Sequence, residues 1–230
     1  LATYKFSRIE ADVLLATTPN IGTEEYPLKR PNNVRNMIHV FHSINDISAY
    51  RKGSLDNYDE VIMVGDFQED SIREIEVRRN LSKKTLISLG LPYLDELVKE
   101  VNKANEVRNE EKGKTVLIGS SWGAKGCLQS YGTDFIKRLA QAGHNVIIRP
   151  HPQSLKTEQH LLARYKKELK NMGKITWDEA ISPSESMNAS DVLVSDTSSI
   201  RFDFAFIYEK PVITLDIKSE EMPGYERDDL

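Results

Sequence analysis

The chain has 230 residues, 39% of them hydrophobic and 29% charged, a balance that suits a globular protein of one large domain or two ordinary ones. A net charge of −4 argues against a general nucleic-acid binder, which carries a basic face. The single cysteine, Cys127, excludes an internal disulfide and fits a reducing compartment, and no apolar run approaches the ~20 residues of a membrane span.

Taken in order, Val13–Ala16 reads as a strand, and the Pro-, Asn- and charge-rich segment from Gly22 to Asn36 as a loop. Met37–Phe41 and Val61–Val64 are further strands, the first followed by His42 and Ser43. Glu69–Asn80 has helical spacing, with Ile72, Ile75 and Arg79 on one side. Thr85–Leu89 is a fourth strand, and Gly90-Leu91-Pro92 turns it into a helix over Tyr93–Val101. The polar run from Lys103 to Lys114 is the expected boundary between an N-terminal α/β domain, 1–104, and a second α/β domain, 105–230.

The second half alternates more regularly. Thr115–Ile118 is a strand that opens into the glycine-bearing loop Gly119–Gly126. A helix over Asp134–Gln141 stops at Ala142-Gly143, and the strand Val146–Ile148 ends in Arg149-Pro150-His151-Pro152. A charged helix is expected at about Thr157–Asn171, then a short strand at Ile175–Trp177. Ser182 and Glu185 have capping-box spacing and predict a brief helix. Val192–Val194 breaks into Ser195-Asp196-Thr197-Ser198-Ser199, and the dense apolar pattern of Ile200–Tyr208 predicts a largely buried helix. Lys210-Pro211 stops it, and Val212–Leu215 is the last strand. Strands alternating with helices predict parallel sheets.

In open α/β sheets, ligands lie outside the carboxyl ends of the strands. Four polar clusters fall there: His42, Gly119 to Trp122, Arg149 with His151, and Thr197 to Ser199. A strand ending in hydroxyls at a helix start suits a phosphate on Thr197, Ser198 and Ser199, since the first helical N–H groups lack partners; the other reading is that the serines only cap the helix. Gly119, Gly123 and Gly126 would admit close backbone approach, but the loop is neither a Walker loop nor GxGxxG and reads equally as a plain loop. Arg149 offers a fork matched to phosphate oxygens, or pairs with a carboxylate. His42 stands where a general base would, or is an ordinary exposed histidine, whereas His39, inside its strand, is expected to be packed. His144 and His160 read as surface residues. Trp122 and Trp177 either stack on a base or pack. No metal-ligand spacing is present, and neither a metal nor another cofactor is expected.

Together these clusters resemble the CDP-glycerol glycerophosphotransferase family, the teichoic-acid primases and polymerases with a two-domain GT-B fold. Asp191–Ile213 is similar to the family's D-V-L-I-T-D-Y-S-S followed by F-D-F and K-P-V, and Arg149–Pro152 to its Arg-x-His-Pro. Val116–Trp122 is similar to its strand and P-T-W loop, Gly90 through Asp95 to G-x-P-x-x-D, and Phe41-His42-Ser43 to W-H-G. The resemblance implies an α/β, GT-B-like fold of two Rossmann-like domains whose parallel sheets face across a cleft. It makes His42 and His151 catalytic, with His42 the base, and puts Arg149, His151, Ser198 and Ser199 around the donor pyrophosphate, beside the nucleotide-side loop Gly119, Ser120, Ser121 and Trp122.

The activity implied is transfer of glycerol phosphate from CDP-glycerol, or a related CDP-polyol, to a hydroxyl-bearing lipid-linked or polymer acceptor, with release of CMP, in cell-surface polymer synthesis. A cytoplasmic protein meeting the inner face of the membrane peripherally would fit, with no nucleic-acid partner. Where the family has Trp, Gly and Tyr, this chain has Phe41, Ser43 and Thr197, and the loop's Pro and Arg are Ser120 and Gly123. The alternatives are therefore a glycosyltransferase using a nucleotide sugar on the same scaffold and a non-catalytic nucleotide-binding module. The first residue, Leu1, and the family's continuation past its K-P-V strand lead us to expect a chain truncated at one or both ends.

Overall fold

The computed structural model describes residues 5–24, 26–104, 114–217 and 224–228. The chain divides into two units, Leu1–Tyr93 with Glu221–Leu230, and Leu94–Glu220. Most of the polar run expected between the domains, residues 105–113, lies outside the described residues.

In the first unit, β1 (Glu10–Ala16), β2 (Asn33–Val40), β3 (Glu60–Met63) and β4 (Thr85–Ser88) form one parallel sheet in that order. β2 starts inside the segment read as loop, because Val34 joins the register opposite Ala11 of β1 despite its polar neighbours. Met37, Phe41, Val61 and Ile72 are almost wholly buried, each burial contributing roughly 1.5–3 kcal/mol. The helix Glu69–Arg78 buries Ile72 and Ile75 as its spacing requires. Arg79 follows as the C-cap, pairing with Asp56 at 3.0 Å and with the buried Glu226. Glu226 belongs to the segment Gly224–Asp228, whose residue Tyr225 bridges antiparallel to Arg51. His39 is packed, as expected: it is fully buried, with Phe41, Tyr58 and Tyr50 rings at 4.9, 5.0 and 5.9 Å.

The second unit holds β5 (Thr115–Gly119), β6 (Asn145–Arg149), β7 (Ile175–Trp177), β8 (Val192–Ser195) and β9 (Val212–Thr214). Their order is β7-β6-β5-β8-β9 and every pairing is parallel. The chain winds outward one way from β5 to β7 and the other way from β8, so β5 and β8 flank a topological switch point.

Several local expectations change. The helix read over Thr157–Asn171 is two, Ser154–Thr157 and Gln159–Leu169, because Glu158 leaves the helical conformation between them. Ser182 and Glu185 form no capping box: the helix is Ser184–Ala189, Pro183 is its N-cap, and the Ser184 hydroxyl meets Glu100. A short helix not read from the sequence, Cys127–Tyr131, follows the glycine loop. Finally, Ile200–Phe206 is less buried than its apolar density suggests. Phe204 faces the core, but Phe206 is 64% exposed and stacks on Phe202 one turn back, 6.1 Å between centroids.

Candidate functional site

The switch point is built from two strand ends joined through one carboxylate. Ser195 closes β8 by donating its hydroxyl to the Gly119 carbonyl at 2.6 Å. Asp196 follows, fully buried. Its carboxylate accepts from the Ser121 N–H at 2.9 Å, the Ser121 hydroxyl at 2.6 Å, the Cys127 N–H at 2.7 Å and the Ser198 N–H at 2.9 Å. A buried charge persists only when hydrogen bonds replace its water, and charge-assisted bonds are worth about 1.5–3 kcal/mol each. Asp196 thus holds the β5 loop and the β8 loop together. The Ser198 bond is a local Asx turn, a motif that the Asp-x-Ser spelling carries.

On the β5 side, Gly119 is closely packed: a Cβ there would lie 3.1 Å from the Ile200 and Leu193 side chains, which would have to give way by a few tenths of an ångström. Gly126 is tighter still: its Cβ would fall 2.1 Å from the Ser121 carbonyl oxygen. Ser120 is buried, its hydroxyl donating to the Ser121 carbonyl at 2.8 Å and accepting from the Leu128 N–H at 3.2 Å. The Gly123 N–H donates to Glu158 at 2.9 Å, so the break between the two helices has a purpose: it turns Glu158 onto the loop. Trp122, between these anchors, is exposed. Burial pushes the Cys127 thiol up to about 12, which leaves it an inert core group.

Of the residues read as phosphate ligands, Thr197 is exposed and Ser198 and Ser199 are half-buried at the mouth of this switch point. Ser199 is the N-cap of Ile200–Phe206 but makes no side-chain capping bond, because the turn is held by Asp196 instead. Arg149, last in β6, is buried and its fork is engaged: it donates to Asp178 at 2.6 Å and to the Ala180 and Ile181 carbonyls at 2.8 and 3.1 Å. Asp178 is held below the usual carboxylate range by bonds from Ser186, the Ala180 N–H and Arg149, which outweigh its partial burial. The His151 Nδ1 accepts from the Gln153 N–H at 3.0 Å, which puts the ring proton of the neutral form on Nε2. His42 lies in the first unit, exposed, two residues past the end of β2. The loop beside it is fixed by Gln68, which accepts from the Val64 N–H at 2.7 Å and donates to the Asn45 carbonyl at 2.6 Å. Among the described residues, no group of three His, Cys, Asp or Glu side chains gathers as a metal site.

Sequence reasoning therefore found the strand ends but gave Asp196 no role of its own within the polar run Ser195–Ser199, and Glu158 none. The signal for Asp196 was present as a charged residue set directly after a buried strand. Glu158 gave no signal, because it lay inside a helical pattern.

The family model described as CDP-Glycerol:Poly(glycerophosphate) glycerophosphotransferase matches residues 36–226, reaching from β2 to the Gly224–Asp228 segment. No curated protein matches the chain by sequence. Among solved structures, the wall teichoic acid polymerase TagF soaked with CDPG superposes with a TM-score of 0.59 at 14% identity, over 94% of this chain and 57% of that one. The UDP-GlcNAc 2-epimerase of Methanocaldococcus jannaschii, in complex with UDP-GlcNAc and UDP, gives 0.57 at 13% identity, over 95% of this chain and 62% of that one. The chain spans less than two thirds of either protein. At these identities the likeness carries the fold: α/β, with two parallel sheets, GT-B-like.

Proposed function

Because the chain belongs to the CDP-glycerol:poly(glycerophosphate) glycerophosphotransferase family, we propose that it moves glycerol phosphate from CDP-glycerol, or a related CDP-polyol, to a hydroxyl of a lipid-linked or polymer acceptor. The acceptor oxygen attacks the β-phosphorus, the bond from that phosphorus to the bridging oxygen breaks, and CMP leaves. His42 takes the acceptor's proton; it is exposed just past a strand end, three residues before Asn45, whose carbonyl Gln68 holds. The hydroxyls of Thr197, Ser198 and Ser199 hold the donor's phosphates, with the Nε2–H of His151 as a further donor. Arg149 supports the same site from within, bracing the Asp178–Ile181 loop with its charge close to the β6 end. The work is done at the cytoplasmic face of the membrane, where a lipid-linked acceptor presents its hydroxyl.

The observation that carries this reading is the pair of loops that Asp196 joins at the switch point, which sets Thr197, Ser198 and Ser199 directly after the β8 strand end. CDP-glycerol at ~100 times its dissociation constant should stabilise the protein by about 2.7 kcal/mol, and UDP-GlcNAc should do less. Ser198→Ala with Ser199→Ala should weaken CDP-glycerol binding more than CMP binding, since CMP lacks the β-phosphate. His42→Asn should cut CMP release ~10²–10⁴-fold and leave CDP-glycerol affinity intact. A larger stabilisation by UDP-GlcNAc would point to a sugar-nucleotide enzyme instead.

A further inference from the structure

Trp122 is 53% exposed, yet it stands on a loop that the fold holds on both sides. The preceding residue, Ser121, is bonded through its N–H and its hydroxyl to Asp196, at 2.9 and 2.6 Å. The following residue, Gly123, donates its N–H to Glu158 at 2.9 Å and takes a φ of +73°, which a side chain would strain. Gly126 then passes so close to the Ser121 carbonyl that no Cβ fits. The indole is thus carried into solvent by a backbone that has little freedom to withdraw it. Leaving the largest aromatic side chain in water forgoes much apolar burial, and a ring fixed in this way costs little entropy when a partner covers it.

The position of the loop says what that partner is. The N–H groups of Ser121 and Ser198 reach the same Asp196 oxygen, at 3.1 and 2.9 Å. The loop that carries Trp122 and the Thr197–Ser199 segment therefore lie side by side across the switch point. A molecule that covers both carries an aromatic ring at one end and phosphate oxygens next to it, as a nucleotide does. We propose that Trp122 is the stacking platform for the pyrimidine ring of the nucleotide donor. The assignment rests on the reading above, that the neighbouring hydroxyls take the donor's phosphates. Every nucleobase presents a π-face, so the platform supplies affinity for a nucleotide, and the choice among pyrimidines falls to other groups.

The chain has two tryptophans, which makes the test direct. Trp177 is half-buried beneath the Lys166 ammonium, 5.5 Å from its ring centroid, and lies at the end of β7. Titration with CMP should quench the tryptophan fluorescence saturably, whereas glycerol 3-phosphate, which has no base, should not. Trp122→Phe should abolish the quench while calorimetry still shows CMP binding within a few-fold of the parent. Trp122→Ala should weaken CMP on the order of 10- to 100-fold, with an unchanged melting temperature because the side chain is exposed. CMP bound equally by Trp122→Ala and the parent would overturn the platform and leave the donor reading standing, as would a quench that survives in Trp122→Phe. If the parent binds neither CMP nor CDP-glycerol by calorimetry, the donor reading fails and the platform with it.

Discussion

At the scale of single residues, the two histidines of β2 and its end show how burial divides one residue type into two roles. His42 is exposed and available, whereas three residues earlier His39 is sealed among Phe41, Tyr50 and Tyr58. Neither His39 nitrogen has a partner among the described residues. Burial first, and the neighbouring His42 second, pull its pKa from 6.5 down to about 3. The folded protein thus keeps His39 neutral down to that value, while the unfolded chain protonates it below 6.5. Between the two, the unfolded state binds the extra proton, so folding stability falls as pH falls, by at most about 1.4 kcal/mol per pH unit, and is level above the window. Urea midpoints read from the tyrosine signal at pH 7, 6, 5 and 4 should show this slope. His39→Phe should flatten it, and should cost little at pH 7, because two unpaired polar atoms leave the core with the imidazole. Equal slopes in parent and variant would mean that His39 is hydrated or paired in solution.

At the scale of elements, the strands were legible because parallel strands buried on both faces spell themselves as short continuous apolar runs, as in Val116–Ile118 and Val192–Val194. What joins the elements was not. Glu158 looked like one more polar position on a charged helix; that it breaks the helix to hold Gly123 depends on a loop about 35 residues away. The buried helix expected at Ile200–Tyr208 failed for a related reason: density of apolar residues gives no face, and Phe206 points outward. Arg149 was read with two possible partners, a phosphate and a carboxylate, and the carboxylate it meets, Asp178, comes from the next strand's loop. Asp196 is the join that matters most. Asp196→Asn keeps the shape but replaces one acceptor oxygen with a donor amide facing the N–H groups of Ser121 and Cys127, or that of Ser198. We expect a loss of about 1–3 kcal/mol in thermal unfolding and a larger proportional loss in CDP-glycerol affinity, since both loops shift together. Full stability in the variant would show that the two loops are held by other contacts.

At the scale of the whole molecule, the first unit is assembled from both ends of the chain, since Glu221–Leu230 returns to it after the second unit is complete. The return is fastened by Glu226, which is fully buried, accepts from the Ser54 N–H and hydroxyl at 3.0 and 2.9 Å, and pairs with Arg79. Its own N–H donates to the Tyr50 carbonyl at 2.9 Å, and Arg51 lies over the Tyr225 ring at 4.7 Å. Removing one partner of a buried pair typically costs about 3–5 kcal/mol, because the other charge is left without compensation. Here Asp56 still holds Arg79 at 3.0 Å, so Glu226→Ala should fall at the low end, near 3 kcal/mol, most of it from the stranded Ser54 groups and the lost pair. The effect should be confined to the first unit, and the chain provides its own reporter. Both tryptophans, Trp122 and Trp177, lie in the second unit. Urea unfolding of Glu226→Ala should therefore show an earlier transition by circular dichroism, with the tryptophan-fluorescence midpoint close to that of the parent. If the two probes move together, the units unfold as one cooperative block; if neither moves, the return segment is a passenger on the first unit rather than part of its core.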